Sequence, residues 1–179
     1  MIKVIAFDLV GVLVKEKDIK LTNKEEKLER LFGDNYSDLD YIKASKEIIN
    51  NELNIIKTTK GVINKLYEIK HKELFKTIKE KYNVKIIIAT NHISYVKEYI
   101  FNNLDNNYLD DIIISAEINK IKPNKDFYNY ILNKHKIKPQ ELLFLDDNIN
   151  NINGAKELGI NTIKVDKETE LLKEIEKCM

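Results

Sequence analysis

The feature that most constrains the fold of this chain is the alternation of short apolar runs with longer segments of helical periodicity. The apolar runs are rich in isoleucine and valine, and such nearly continuous runs are typical of strands buried on both faces of a parallel sheet. Segments of helix length separate the last four runs, which is the βαβ pattern of a doubly wound, Rossmann-like α/β sheet. The predicted strands are 3–7, 84–89, 111–115, 141–145 and 161–165, and the predicted helices are 93–103, 125–136, 148–158 and 167–177.

One interval interrupts this alternation, because residues 15–81 contain no predicted strand and place apolar residues at helical spacing. About 65 residues is far more than a single crossover connection requires. We therefore predict a small helical cap at 15–81, whose last helix also serves as the crossover, and an α/β core formed by 1–14 and 82–179. Tyr36, Tyr41 and Tyr67 fall in the cap segment, and amphipathic packing is the predicted role for most of them.

Composition and charge limit the classes of partner. The 30 basic and 29 acidic residues give a net charge of +1, and Arg30 is the single arginine, which disfavours nucleic acid as a partner. No apolar stretch approaches the roughly 20 residues that a membrane-spanning helix needs. The lone cysteine, Cys178, cannot form an internal disulfide, so we expect a reducing, cytoplasmic location. A monomer and a homodimer are equally compatible with the sequence.

Polar residues follow four of the predicted strands, at the edge of the sheet where ligands of open α/β sheets bind. Taken singly, each has a simple structural explanation as a helix cap, a turn residue or a solvated lysine. Their order and placement point instead to one site. In chain order they are Asp8, then Thr90 with Asn91, then Lys122, then Asp146 with Asp147 and, four residues later, Asn151.

These residue types suit phosphoryl transfer. A carboxylate can accept a phosphoryl group if a metal and a lysine offset the repulsion between two anions. Mg²⁺ prefers one or two carboxylates together with substrate oxygens and waters, and Asp8 and Asp147 match that preference. Thr90 and backbone amides near Asp8 can donate to phosphate oxygens, and Lys122 can neutralise both the nucleophile and the transferring group.

With its motifs in this order, the chain resembles the haloacid dehalogenase (HAD) superfamily over essentially its whole length. Residues 122–127 resemble the lysine motif, and 145–160 resemble the acidic motif with paired aspartates and a later asparagine. The predicted helical insertion is similar to the family's type 1 cap. The resemblance implies that Asp8 is a nucleophile forming an aspartyl-phosphate, and that Thr90, Asn91 and Lys122 surround the phosphate of a small phosphorylated metabolite.

The resemblance also implies a set of Mg²⁺ ligands. Asp147 aligns with the family's main metal-binding carboxylate, because a polar residue, here Asn151, follows it by four positions. Asp146 is then expected to act on the metal through a water molecule, with Asn151 also outside the direct ligands. Asp8 and the backbone carbonyl of Val10 complete the protein ligands.

Val10 is a departure from the family pattern. Phosphatases of this family normally carry a second aspartate at that position, which protonates the leaving oxygen and then activates water. Losing such a group typically costs ~10²–10⁴ in rate. Three hypotheses follow: a slow Mg²⁺-dependent phosphatase, a degenerate protein that binds a phosphorylated ligand or a protein partner without turnover, or dehalogenase-type attack on carbon. The pair Asp146–Asp147 disfavours the third, since metal-free attack on carbon has no use for it.

The three histidines, His71, His92 and His135, show no spacing that suits a metal site. His92 directly follows Asn91, at the mouth of the predicted site. We expect it to occupy a solvent-exposed helix start.

Overall fold

The computed structural model describes residues 1–33 and 37–179 and contains a five-stranded parallel sheet flanked by helices, together with a two-stranded antiparallel sheet. The strands are β1 (Val4–Phe7), β2 (Val14–Glu16), β3 (Tyr67–Ile69), β4 (Lys85–Thr90), β5 (Asp111–Ile114), β6 (Leu142–Asp146) and β7 (Asn161–Lys164). The α-helices are α1 (Asn23–Glu29), α2 (Asp38–Ser45), α3 (Glu52–Leu66), α4 (Leu74–Lys81), α5 (Val96–Asn103), α6 (Ser115–Ile118), α7 (Lys125–His135), α8 (Ile149–Lys156) and α9 (Leu171–Glu176), and a 3₁₀ turn spans Pro139–Glu141.

The large sheet has the strand order β5-β4-β1-β6-β7, with every neighbouring pair parallel. From β1 the chain builds outward through β4 and β5 on one side and then returns to β6 and β7 on the other. The order therefore reverses at β1, which is the topological switch point where open α/β sheets bind ligands. The predicted doubly wound α/β fold is confirmed.

Both faces of strand β1 are buried. Val4 and Ala6 belong to one buried hydrophobic cluster, whereas Ile5 and Phe7 belong to the other, because successive side chains of a strand point to opposite faces. Each of the three larger side chains contributes roughly 1.5–3 kcal/mol by burial. The residue that follows β1, Asp8, therefore leaves a rigid strand at the carboxyl edge of the sheet.

The interval 15–81 differs from the sequence prediction, because two strands occur where none was expected: β2, whose last two residues lie in the interval, and β3 at Tyr67–Ile69. Strand β3 pairs with β2 in antiparallel register, with Val14 opposite Ile69. A three-residue strand is too short to show a period of two, and β3 directly follows α3, so helical spacing continues into it. Helix α4 lies against the large sheet, where Phe75 packs on Phe7 with 5.6 Å between ring centroids.

Two of the tyrosines of this segment are buried, Tyr41 completely and Tyr67 almost so. Both belong to the same hydrophobic cluster as Phe7. Tyr36 lies outside the described residues. The cap bounds 15–81 remain a prediction.

None of the helices within the described ranges is both long enough and apolar enough to cross a membrane.

Candidate active site

Asp8 is buried at the carboxyl end of the central strand. Its backbone N–H donates to the carbonyl oxygen of Leu145 at 2.8 Å, which continues the ladder between β1 and β6 by one residue. Its Oδ1 atom accepts from the backbone N–H of Leu9 at 2.8 Å. Burial raises the pKa of the Asp8 carboxyl to about 6; the ammonium of Lys122 opposes that shift and the carboxylate of Asp146 adds to it.

Lys122 lies between two carboxylates in the interior. Its Nζ atom is 2.9 Å from Oδ1 of Asp8 and 2.7 Å from Oδ2 of Asp146, and it stands 5.4 Å from the ring centroid of Phe144. Burial by itself would lower the pKa of Lys122, but the two carboxylates outweigh it and the net shift is upward. Lys122 is therefore a charged group whose position is fixed by both partners.

The side chain of Asn91 holds the backbone of Lys122. Its Nδ2 atom donates to the Lys122 carbonyl at 2.9 Å, and its Oδ1 atom accepts from the Lys122 N–H at 2.9 Å. Both ends of the amide are thus used to position the lysine, and the substrate contact expected from the sequence stays a prediction. Thr90, buried at the end of β4, makes no side-chain hydrogen bond to any described residue, so its hydroxyl is available to a ligand.

Asp146 is completely buried and its oxygens are occupied. Besides Lys122, the backbone N–H of Asn148 donates to Oδ1 at 2.8 Å, and Nδ2 of Asn151 lies 3.1 and 3.0 Å from the two oxygens. The hydroxyl of Tyr128 donates to the Asn151 carbonyl at 2.6 Å and so fixes the start of α8. A carboxylate with three donor groups is poorly placed to bind a metal directly, and the indirect role implied by the resemblance stays a prediction.

Asp147 is exposed and lies against Gly11. A Cβ atom added to Gly11 would stand 2.1 Å from Oδ2 of Asp147, and Gly11 has φ +86°, a conformation that glycine alone adopts easily. Val10 is half-buried and lines the same cleft as Asp147, which has a volume of about 740 Å³. No role was predicted for Gly11 from the sequence, where its position three residues after Asp8 is the available signal.

The three aspartates form a donor set that fits a divalent cation. One oxygen from each of Asp8, Asp146 and Asp147 lies within 4.8 Å of the others. Because the oxygens of Asp146 are engaged by Lys122 and its neighbours, Asp8 and Asp147 are the carboxylates left for direct ligation. Hard oxygen donors of this kind are the ligands that Mg²⁺ prefers.

His92 is buried, contrary to the solvent-exposed position predicted from the sequence. Its Nδ1 atom is 3.0 Å from the carbonyl oxygen of Ile93 and therefore carries the proton, so Nε2 accepts from the Tyr67 hydroxyl at 2.9 Å. Burial lowers its pKa to about 4. Phe32 covers the imidazole at a ring distance of 5.2 Å, and a covering group from a distant segment leaves no local pattern in the sequence.

Parts of the sequence are similar to proteins of known function. Bifunctional epoxide hydrolase 2 of Mus musculus is 39% identical over 70 residues, which are 39% of this chain and 13% of that protein. D-ribitol-5-phosphate phosphatase of Bacteroides thetaiotaomicron is 32% identical over 59 residues, which are 33% of this chain and 29% of that protein. The matched segments thus span less than a third of the length of these curated relatives.

Solved structures agree with the fold over nearly the whole chain. The wild-type HAD family enzyme bt-2542 of Bacteroides thetaiotaomicron, in complex with magnesium and inorganic phosphate, superimposes with a TM-score of 0.73 at 17% identity, covering 97% of this chain and 99% of that one. The family model of the haloacid dehalogenase-like hydrolases matches residues 2–159 of the sequence. Because that match covers most of the sequence, this chain belongs to the haloacid dehalogenase-like hydrolase family.

Proposed function

We propose that this chain is a Mg²⁺-dependent phosphohydrolase that cleaves a small phosphorylated metabolite through an aspartyl-phosphate on Asp8. The carrying observation is the charge arrangement: the ammonium of Lys122 lies between Asp8 and Asp146, and one oxygen of Asp147 lies within 4.8 Å of an oxygen of each of these carboxylates. When all four are ionised, three negative charges and one positive charge leave an excess of two, which one divalent cation balances. The phosphatase named among the relatives and the neighbour crystallised with magnesium and phosphate support the proposal.

The orientation of Asp8 suits nucleophilic attack. Its Oδ1 atom accepts from Leu9 and lies 2.9 Å from Nζ of Lys122, and no described residue donates to Oδ2. One carboxylate oxygen would form the bond to phosphorus and the other would bind the metal. As that bond forms, the ester oxygen leaves with the bonding electron pair. Lys122 stabilises the negative charge on the phosphoryl oxygens, and the hydroxyl of Thr90 donates to one of them. Water then cleaves the acyl phosphate and releases inorganic phosphate, which restores the carboxylate of Asp8.

Asp8, Asp147 and the backbone carbonyl of Val10 would hold the Mg²⁺ ion. When bound, the ion supplies positive charge that offsets the repulsion between the carboxylate nucleophile and the phosphate. Gly11 contributes indirectly, because its missing side chain lets the carboxylate of Asp147 approach the turn that carries Val10.

Val10 limits the expected rate of hydrolysis and is the reason for considering a second candidate function. A valine cannot protonate a leaving alkoxide, so the proton comes from solvent and alkyl esters turn over slowly. The same residue favours the second candidate, a protein that binds a phosphorylated ligand without turnover. Attack on carbon is the weakest candidate, because the carboxylate pair Asp146 and Asp147 has no part in a metal-free reaction.

The test is hydrolysis of p-nitrophenyl phosphate with and without Mg²⁺, with Asp8→Asn as the control. This ester has a good leaving group and needs little help from an acid, so turnover is expected to require Mg²⁺ and to disappear in the variant. Activity that persists in Asp8→Asn would contradict the nucleophile assignment. Absence of turnover in the unmodified chain would favour the binding protein.

A second measurement separates the two neighbouring aspartates. Asp147→Asn is expected to raise the Mg²⁺ concentration needed for half-maximal activity more than Asp146→Asn does, because Asp146 is occupied by protein donors. The reverse order would show that the ligand assignment is displaced by one residue.

A further inference from the structure

Beside the aspartates, the cleft that Val10 and Asp147 line carries a concentration of ammonium groups. Four lysines reach it from different parts of the fold, and we call this region the lysine cleft. They are Lys15 of β2, Lys70 after β3, Lys164 at the end of β7, and Lys167 in the loop that follows. Two further acidic residues, Glu16 and Asp166, also line it.

Three of these ammonium groups have no carboxylate partner in the described ranges 1–33 and 37–179. The Nζ atom of Lys70 donates to the Gly11 carbonyl at 2.9 Å, and that of Lys164 donates to the Val165 carbonyl at 2.8 Å. Lys167 forms no salt bridge with a described residue. Like charges that line one cleft repel one another, so an anion bound between them lowers the electrostatic energy.

The acidic residues of the cleft offset part of this positive charge. Asp166 accepts from the backbone N–H of Glu168 at 3.0 Å and from the hydroxyl of Thr169 at 2.7 Å, which closes a local turn. Asp147 is assigned to the metal. Glu16 and Asp166 together offset two of the three lysines that form no salt bridge with a described residue, so the cleft keeps an excess of one positive charge.

Lys70 is the best fixed of the four lysines. It is half-buried, its backbone N–H donates to the Leu13 carbonyl at 2.9 Å, and its side chain is held by Gly11. The carboxylate of Asp147 lies against the same glycine, so the ammonium is positioned beside the proposed reaction centre. An ammonium that is already in place loses little conformational entropy when a ligand binds.

We propose that the substrate carries a second anionic group on its leaving portion and that the lysine cleft, with Lys70 as its main contact, binds that group. The proposal rests on the proposed function and specifies its substrate class: phosphate monoesters whose alcohol part bears a carboxylate or another phosphate. A charged hydrogen bond of this kind is expected to improve binding by about tenfold or more.

The test measures binding, so that it does not depend on turnover. Calorimetric titration of Asp8→Asn in Mg²⁺ would compare 3-phosphoglycerate with glycerol 3-phosphate, and fructose 1,6-bisphosphate with fructose 6-phosphate. The first pair tests a carboxylate and the second a phosphate. In at least one pair the ligand with two anionic groups is expected to bind about tenfold tighter than its partner, and the preference should shrink as salt is raised.

Substitutions locate the preference. Lys70→Met is expected to reduce it to less than about threefold, whereas Lys70→Arg keeps the charge and retains it. Lys72→Met is the matched control: it removes the same charge two residues away, outside the cleft. Should Lys70→Met fail to fold, Lys167→Met tests the same cleft from an exposed position and is expected to weaken the preference.

Three results would overturn the inference: equal binding within both pairs, an equal loss of preference in Lys72→Met, or failure of all four ligands to bind. The proposed function is judged separately by p-nitrophenyl phosphate, which has no second anionic group. Turnover of that ester without a charge preference refutes the inference alone, and a charge preference without turnover refutes the hydrolase alone.

Discussion

Replacing Val10 by aspartate tests whether the missing acid is the main limit on this site. Val10 is half-buried, follows Asp8 by two residues and lines the cleft into which the leaving group is proposed to project. A carboxylic acid there can protonate the leaving oxygen and afterwards accept a proton from water. General acid–base catalysis of this kind contributes about 10²–10⁴ in rate.

The surrounding charges reduce the expected gain. Asp8, Asp146 and Asp147 already place three carboxylates within 4.8 Å, and a fourth adds repulsion that Lys122 only partly offsets. We therefore expect a gain that can fall below this range, a rise of about tenfold or more in kcat/KM for alkyl phosphates, and tenfold corresponds to about 1.4 kcal/mol of transition-state stabilisation. Hydrolysis of p-nitrophenyl phosphate should change by less than about threefold, because p-nitrophenolate leaves without a proton.

The assay compares kcat/KM for glycerol 3-phosphate and p-nitrophenyl phosphate in the unmodified chain, Val10→Asp and Val10→Asn. The asparagine variant has nearly the same shape as the aspartate variant but cannot act as an acid. A rise in the ratio of alkyl to aryl turnover in Val10→Asp alone supports the reasoning. An unchanged ratio, or the same rise in Val10→Asn, would refute it and show that the pocket is limited by something other than proton transfer.

Three further predictions concern the residues around this centre. Lys122→Met leaves two buried carboxylates without their counter-ion, so the free energy of unfolding should fall by about 3–5 kcal/mol in chelator-treated protein at neutral pH; an unchanged urea midpoint would contradict the ion pair. Gly11→Ala places a Cβ atom 2.1 Å from the Asp147 carboxylate, at a backbone φ of +86°. The half-saturating Mg²⁺ concentration should therefore rise by about tenfold or more. Gly61→Ala is the control, because no atom lies within 4 Å of the added Cβ atom, and it should leave that concentration unchanged. The buried imidazole of His92 has a pKa of about 4 in the folded protein, below the ordinary value of 6.5. Between pH 6.5 and about pH 4 the unfolded chain therefore binds more protons than the folded one, so the free energy of unfolding decreases as the pH falls. The decrease in the free energy of unfolding should approach about 3 kcal/mol near pH 4 and should disappear in His92→Gln. If urea denaturation gave the same pH dependence for the unmodified chain and for His92→Gln, this role of His92 would be excluded.

The fold was largely predictable because the three inner strands of the large sheet, β1, β4 and β6, are almost entirely buried. The predicted first strand begins one residue before β1 and ends with it, and the last ends one residue beyond β7. Helix starts were less accurate: α5 begins at Val96 rather than at residue 93. Ser94 is held outside the helix because its backbone N–H donates to Asp38 at 2.9 Å, and a contact across 56 residues leaves no local signal.

The sequence identified the polar residues of the site but not how they contact one another. Strand-end positions predicted that Asp8, Asp146 and Lys122 share one edge of the sheet, and the structure brings their side chains together. It could not show that both ends of the Asn91 amide bind the Lys122 backbone, because an asparagine after a strand looks the same whether it holds a ligand or a loop. The burial of His92 depends on Phe32 and was equally invisible.

The positive charges of this site fall into two environments, and the difference separates two tasks. Lys122 is almost completely buried, where the lower effective dielectric makes its interaction with a phosphoryl group strong and nearly independent of salt. Lys164 and Lys167 are exposed, so solvent and ions screen their attraction over about 10 Å. Raised salt should therefore weaken the proposed selection of a second anionic group well before it weakens phosphoryl transfer itself. If raised salt reduced the binding preference and the rate of phosphoryl transfer to the same extent, one group of lysines would serve both tasks. In this fold the two tasks are instead assigned to separate lysines, Lys122 for phosphoryl transfer and the lysine cleft for the second anionic group.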